Sequence, residues 1–104
     1  MVFPLNPVLL EALVLAVIDS GDAYGYVIAQ KLKALASQKE SALYPVLKRL
    51  QTAGYLTTYD QAFQGRNRRY YRITEEGKQQ LSFYKKEWQD FKAMTDQVFD
   101  GGEQ

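Results

Sequence analysis

The spacing of apolar residues changes twice along this chain, and that change restricts the fold more than any other feature. In "SALYPVLKRL", residues 41–50, Leu43, Val46, Leu47 and Leu50 recur every three or four positions, which places them on one face of an α-helix. Past Gly54 the period drops to two. "YLTTYD" and "RRYYRIT", residues 55–60 and 68–74, are rich in Tyr, Thr and Ile, the types that suit a pleated, half-buried strand. From Leu81 the helical spacing returns, with Tyr84, Trp88, Phe91, Met94 and Val98 following at intervals of 3, 4, 3, 3 and 4. The predicted fold is mainly α with a small β-hairpin.

Local signals set the element ends. Asn6 followed by Pro7 reads as an N-cap with proline at the first helical position. The helix it opens, "VLLEALVLAVI" at residues 8–18, is apolar on nearly every side except at Glu11. Such a helix must be covered on nearly every side, which predicts a second subunit as part of the cover. "DSGD" is a turn, and Asp22 is the expected N-cap of a second helix over "AYGYVIAQKLKAL", with Tyr24, Ile28, Leu32 and Leu35 as its apolar stripe. Ser37 and Glu40 have capping-box spacing. The third helix is therefore expected to start between Lys39 and Ser41 and to stop at Gly54. Pro45 would cost about 3 kcal/mol deep inside a helix. With a start near Ser41 it falls at about the fourth helical position, where its missing donor costs little.

"QAFQGRN" separates the two strand runs, so the hairpin is expected to have a tip too long for a tight turn. Thr74 is the predicted cap of the last helix, with Glu75 and Glu76 in the first turn, where the helix dipole favours acids. Gly77 allows close packing there. The stripe from Leu81 to Val98 approaches a coiled-coil seam.

Composition removes several functions. The 104 residues contain no cysteine and no histidine, which excludes disulfides, thiolate chemistry, most metal sites and the usual general base near neutral pH. The twelve acids show no pairing suited to catalysis. No enzyme activity, cofactor or metal is expected. The apolar run at residues 8–18 is shorter than the ~20 residues of a membrane span, and no basic segment precedes it. A cytoplasmic protein without membrane contact is the expectation.

The formal net charge of +1 hides an asymmetry. Residues 31–73 carry nine basic side chains against Glu40 and Asp60, a balance of +7 that leaves −6 for the rest. A basic centre between acidic ends is the footprint of a nucleic-acid-binding face. Three helices followed by a basic hairpin form a winged helix-turn-helix, in which the third helix enters the major groove and the wing lies along the backbone or minor groove. Turning about 100° per residue from Leu43 puts Ser41, Tyr44, Pro45, Lys48 and Thr52 opposite the leucine face, with Arg49 at its margin. Short hydroxyls and Lys48 can reach base edges, Tyr44 can reach a phosphate or stack on sugar, and Pro45 offers an apolar contact. Arg66, Arg68 and Arg69 are the expected backbone contacts of the wing.

These residues resemble the PadR-type transcriptional regulators. "ESALYPVLKRLQTAGYLTTY" is similar to that family's recognition helix, "GRNRRYYRITEEG" to the end of its wing, and "YGYVI" to the start of its second helix. The likeness spans about residues 8–81, with Ala42 standing where threonine is common and Lys39 where a serine cap is common. The resemblance implies a homodimeric repressor of a double-stranded DNA operator, with Ala42 joining Ser41, Tyr44, Pro45, Lys48 and Arg49 on the reading helix. It also implies two parts, a winged helix at residues 1–74 and one dimerisation helix with a short tail at 75–104. Small members are similar to repressors released by phenolic acids and drugs bound near the dimer interface. That makes Tyr84, Trp88 and Phe91 the candidate site for a small aromatic or phenolic effector. The alternative is a winged-helix module that binds another protein without reading DNA.

Overall fold

A computed structural model describes residue 3, residues 5–36 and residues 40–101. Ser37 and Lys39, and with them the expected capping box, lie outside the described residues. The element order is α1 (Pro7–Asp19), β1 (Ala23–Tyr24), α2 (Gly25–Lys31), α3 (Lys33–Ala36), α4 (Glu40–Thr52), β2 (Leu56–Phe63), β3 (Arg66–Ile73) and α5 (Glu75–Phe99). This is a winged helix-turn-helix followed by one long helix.

Helix α1 begins as its sequence requires, with Asn6 Oδ1 accepting from the amides of Val8 and Leu9 at 2.7 and 3.1 Å. Leu10, Val14, Leu15 and Ile18 are buried, while Leu13, Ala16 and Val17 are half-buried and Val8 is exposed. The chain alone therefore covers one side of α1 fully and the others in part.

The second helix differs from expectation at both ends. Ala23 and Tyr24 form a strand that pairs antiparallel with Tyr71 and Tyr70 of β3, so the helix starts at Gly25. Asp22 does not cap it. Its Oδ2 accepts instead from the Tyr59 hydroxyl at 2.7 Å and from Arg72 Nε at 3.1 Å, because β1 turns the chain toward the sheet before the helix can begin. The helix then breaks at Leu32, and α3 follows as a separate turn. Ile28 and Leu32 are buried, but Leu35 is 50% exposed.

Helix α4 buries Leu43, Val46, Leu47 and Leu50. With Glu40 as its first residue, Pro45 is the sixth helical residue rather than about the fourth. The donor it lacks would have served the carbonyl of Ser41, an exposed residue whose carbonyl can turn to water. At the C-terminus, Gly54 adopts φ +86° while the amide of Tyr55 donates to the carbonyl of Leu50 at 2.9 Å, the hydrogen-bond pattern of a Schellman stop.

The hairpin is longer and its tip tighter than expected. Strands β2 and β3 pair in register from Leu56 with Ile73 to Phe63 with Arg66. Only Gln64 and Gly65 remain for the turn, with φ of +52° and +75°. Positive φ at both positions is the primed turn whose twist matches the strands, so "QAF" and "RN" extend the ladder instead of forming a loop. The sheet order is β1-β3-β2, and alternation along β3 buries Tyr71 while Tyr70 stacks on Tyr59 at 5.5 Å.

Thr74 fastens α5 to the body. Its Oγ1 accepts from the amide of Gly77 at 3.0 Å and donates to the carbonyl of Gly54 at 2.7 Å. Gly77 packs so closely that an added Cβ would overlap the carbonyl oxygen of Tyr55 and lie 2.7 Å from Ile73 Cγ1. Leu81 is buried in the shared core and Tyr84 packs at its edge. Beyond Tyr84 the helix leaves the body, and the molecule measures 61 × 29 × 20 Å.

Candidate DNA-binding surface

The residues opposite the leucine face of α4 are where the helical period puts them. Ser41, Ala42, Tyr44, Pro45, Lys48 and Thr52 are all exposed. Burial of the leucines against α1, α2 and β2 orients that face outward. Lys48 makes no ion pair among the described residues, so its charge is available to an anion.

Tyr44 and Arg49 are held within the chain. The Tyr44 hydroxyl donates to Glu40 Oε2, and the retained proton pushes the tyrosine up to about 12, burial adding to the effect. This pair rests against Gly25, where a Cβ would stand 3.1 Å from Glu40 Oε2 and 3.2 Å from the Tyr44 hydroxyl. Tyr44, a residue 46% exposed, therefore presents its ring more readily than its proton. Arg49 Nε donates to Glu11 Oε2 at 2.7 Å, which ties the margin of α4 to α1.

The three wing arginines differ in their surroundings. Arg66 is exposed at the start of β3 and has no partner among the described residues. Arg69 lies 3.9 Å from Asp60 on the adjacent strand. Arg68 folds inward, its guanidinium 4.6 Å from the Tyr24 ring centre and 5.6 Å from that of Phe63, an arrangement of cation over aromatic face. Its Nε is buried without a hydrogen-bond partner among the described residues. A fourth arginine, Arg72, sits 4.8 Å over the Tyr59 ring and 3.1 Å from Asp22. The Asp22 bond also holds the Tyr59 proton and raises that hydroxyl above its ordinary value.

A polar cleft of about 490 Å³ separates the start of α4 from the wing, walled by Glu40 and Tyr44 on one side and Asn67, Arg68 and Arg69 on the other. Glu40 was not among the expected site residues, because its spacing from Ser37 marked it only as part of a cap. Glu11 had a clearer signal, as the single charge in the apolar run from residue 8 to residue 18. Farther off, Tyr84 lies against Glu11, whereas Trp88 and Phe91 are 46% and 60% exposed on the free part of α5, their rings 6.4 Å apart. No group of acids able to hold a metal occurs among the described residues, and no helix there is long and apolar enough to cross a membrane.

An outward polar helix beside a basic wing defines a winged helix-turn-helix protein of the DNA-binding class. The family model for the "Transcriptional regulator PadR-like family" matches residues 14–82, and this chain belongs to that family of transcriptional regulators. A crystal structure from Streptococcus mutans is 45% identical, covers 100% of this chain and 98% of its own, and superposes with a TM-score of 0.93. A PadR-like transcriptional regulator from Bacillus cereus is 30% identical over 90% of this chain and 93% of its own, with a TM-score of 0.81. Bacillus subtilis PadR, solved in complex with operator DNA, is 29% identical over 72% of this chain and 45% of its own, with a TM-score of 0.65.

Proposed function

We propose that this chain acts as a homodimeric repressor that reads a pseudo-palindromic operator with α4 in the major groove and the wing on the phosphate backbone. The observation that carries this reading is the exposed row of Ser41, Ala42, Tyr44, Pro45 and Lys48 on α4 beside the arginines of β3. The Bacillus subtilis relative crystallised with operator DNA supports it. Residues 1–74 serve as the reading domain, and α5 joins two copies through Trp88, Phe91 and the apolar residues beyond them. A small aromatic or phenolic effector binding among Tyr84, Trp88 and Phe91 releases the operator by changing the angle between the subunits.

Fluorescence anisotropy with labelled duplexes at several salt concentrations tests the DNA contacts. Neutralising Arg66, Arg68 and Arg69 together weakens binding to all sequences and lowers the salt slope by about 0.9 per lost phosphate contact. Arg66, the one of the three without a side-chain partner among the described residues, contributes most of that loss. Changing Ser41 or Lys48 alters site preference instead. An unchanged slope in the triple variant removes the wing from the mechanism, and binding that persists at high salt points to a protein partner.

A further inference from the structure

Glu11 is the one charge in the apolar run from residue 8 to residue 18, and a carboxylate among apolar neighbours is costly unless it is bonded. Its side chain is only 19% exposed. Two other helices supply its partners: Arg49 of α4 donates to Oε2 at 2.7 Å, and the Tyr84 hydroxyl of α5 faces Oε1 at 3.4 Å. The first is a full charge-assisted bond. The second is long for an O–H···O bond, whose ordinary range is about 2.5–3.0 Å.

The position of Tyr84 gives that long bond its significance. Helix α5 is pinned at its start by Thr74, and Tyr84 stands ten residues further on, about 15 Å along the axis. Swinging α5 by about 5° about that pivot moves the hydroxyl by ~1 Å at this distance, enough either to complete the bond to Glu11 or to abolish it. We propose that Glu11 is a positioning residue shared between Arg49 and Tyr84, through which the tilt of α5 sets the charge that α4 presents to DNA. When Tyr84 closes on Glu11, the carboxylate is drawn toward α5 and the guanidinium of Arg49, whose side chain is already 52% exposed, is released to a phosphate. When Tyr84 withdraws, Glu11 holds Arg49 back. A signal at the C-terminal helix then reaches the reading helix within one chain, in addition to any change of angle between subunits. The inference rests on the operator reading above. Reciprocity requires that DNA, by taking Arg49, favour the closed position of Tyr84 and so move α5.

The test uses the full chain and a labelled duplex selected from a random-sequence library by the wild-type protein. Glu11→Gln weakens the hold on Arg49, so duplex affinity rises about fivefold and the salt slope steepens by about 1.8, one further phosphate contact from each subunit of the dimer. Tyr84→Phe removes only the hydroxyl, leaves Arg49 tied, and lowers affinity with a shallower slope. Trp88, one helical turn beyond Tyr84, reports the motion: its emission changes on adding duplex to the wild type, and that change is lost in both variants. Wild-type affinity, slope and Trp88 response in both variants overturn the proposal, as does an unresponsive Trp88 in the wild type. Equal weakening in both variants with a lowered melting temperature shows a merely structural role and overturns it too. Failure of the wild-type chain to prefer any sequence would instead sink the operator reading, and the coupling with it.

Discussion

At the scale of single residues, two positions show how little room the fold leaves. Gly77 faces the carbonyl oxygen of Tyr55, and that oxygen also accepts from the amide of Thr74 at 3.0 Å. Backbone on both sides cannot yield as a flexible side chain would. Gly77→Ala is expected to destabilise the chain by about 1–3 kcal/mol through overpacking, measured by urea denaturation. An unchanged midpoint would mean that α5 shifts freely at its start. The second position is Tyr44, raised to about 12 by its bond to Glu40. A tyrosine that holds its proton more tightly when folded stabilises the fold fully below its unfolded value of about 10, and that contribution is lost as pH rises through about 12. Difference titration of phenolate absorbance between wild type and Tyr44→Phe isolates this group. In a Glu40→Gln background its ionisation moves down toward the ordinary value; no movement would assign the shift to burial instead.

At the scale of elements, the wing is built on its turn. Gln64 and Gly65 both have positive φ, a conformation that costs a residue bearing a Cβ about 1–2 kcal/mol. Gly65→Ala should lower stability by about that amount, and Gln64→Asn, whose side chain tolerates the left-handed region, should raise it by a few tenths to about 1 kcal/mol. Thermal unfolding of the two variants decides this, and shifts of equal sign would contradict the turn assignment. The fastening of the wing was not visible in the sequence. Asp22 looked like a helix cap because a short polar residue before an apolar run usually is one. Its actual partners, Tyr59 and Arg72, lie 37 and 50 residues away, and no local pattern encodes a contact of that range.

At the scale of the whole molecule, α5 dominates. Its 25 residues extend about 37 Å at the α-helical rise, and past Tyr84 they carry Trp88, Phe91, Met94, Val98 and Phe99, each 46–77% exposed. Covering such side chains contributes about 1.5–3 kcal/mol each, enough in sum to offset the cost of association. Sedimentation of the wild type is expected to give a dimer. Trp88→Glu combined with Phe91→Glu should give a folded monomer, because neither residue enters the chain's own core. A dimer that survives both charges would place the contact elsewhere, with the half-exposed side of α1 as the next surface to test.

What the sequence determined by itself was set by neighbours a few positions apart. The Asn6 and Thr74 caps, the buried leucine face of α4, the outward row from Ser41 to Lys48 and the strand pair all follow from periods and caps that act within one or two turns of chain. Tertiary structure decided the rest, because it alone chose between locally acceptable alternatives. Ala23 and Tyr24 left a helical pattern to become a strand once β3 offered them a ladder. The long polar tip closed into a two-residue turn because pairing all eight residues of each strand satisfied more backbone groups than a loop. Arg49 and Arg68, equally basic in the sequence, were engaged by Glu11 and by the Tyr24 ring, since a charge near the surface takes whichever partner the packing of other elements brings within reach.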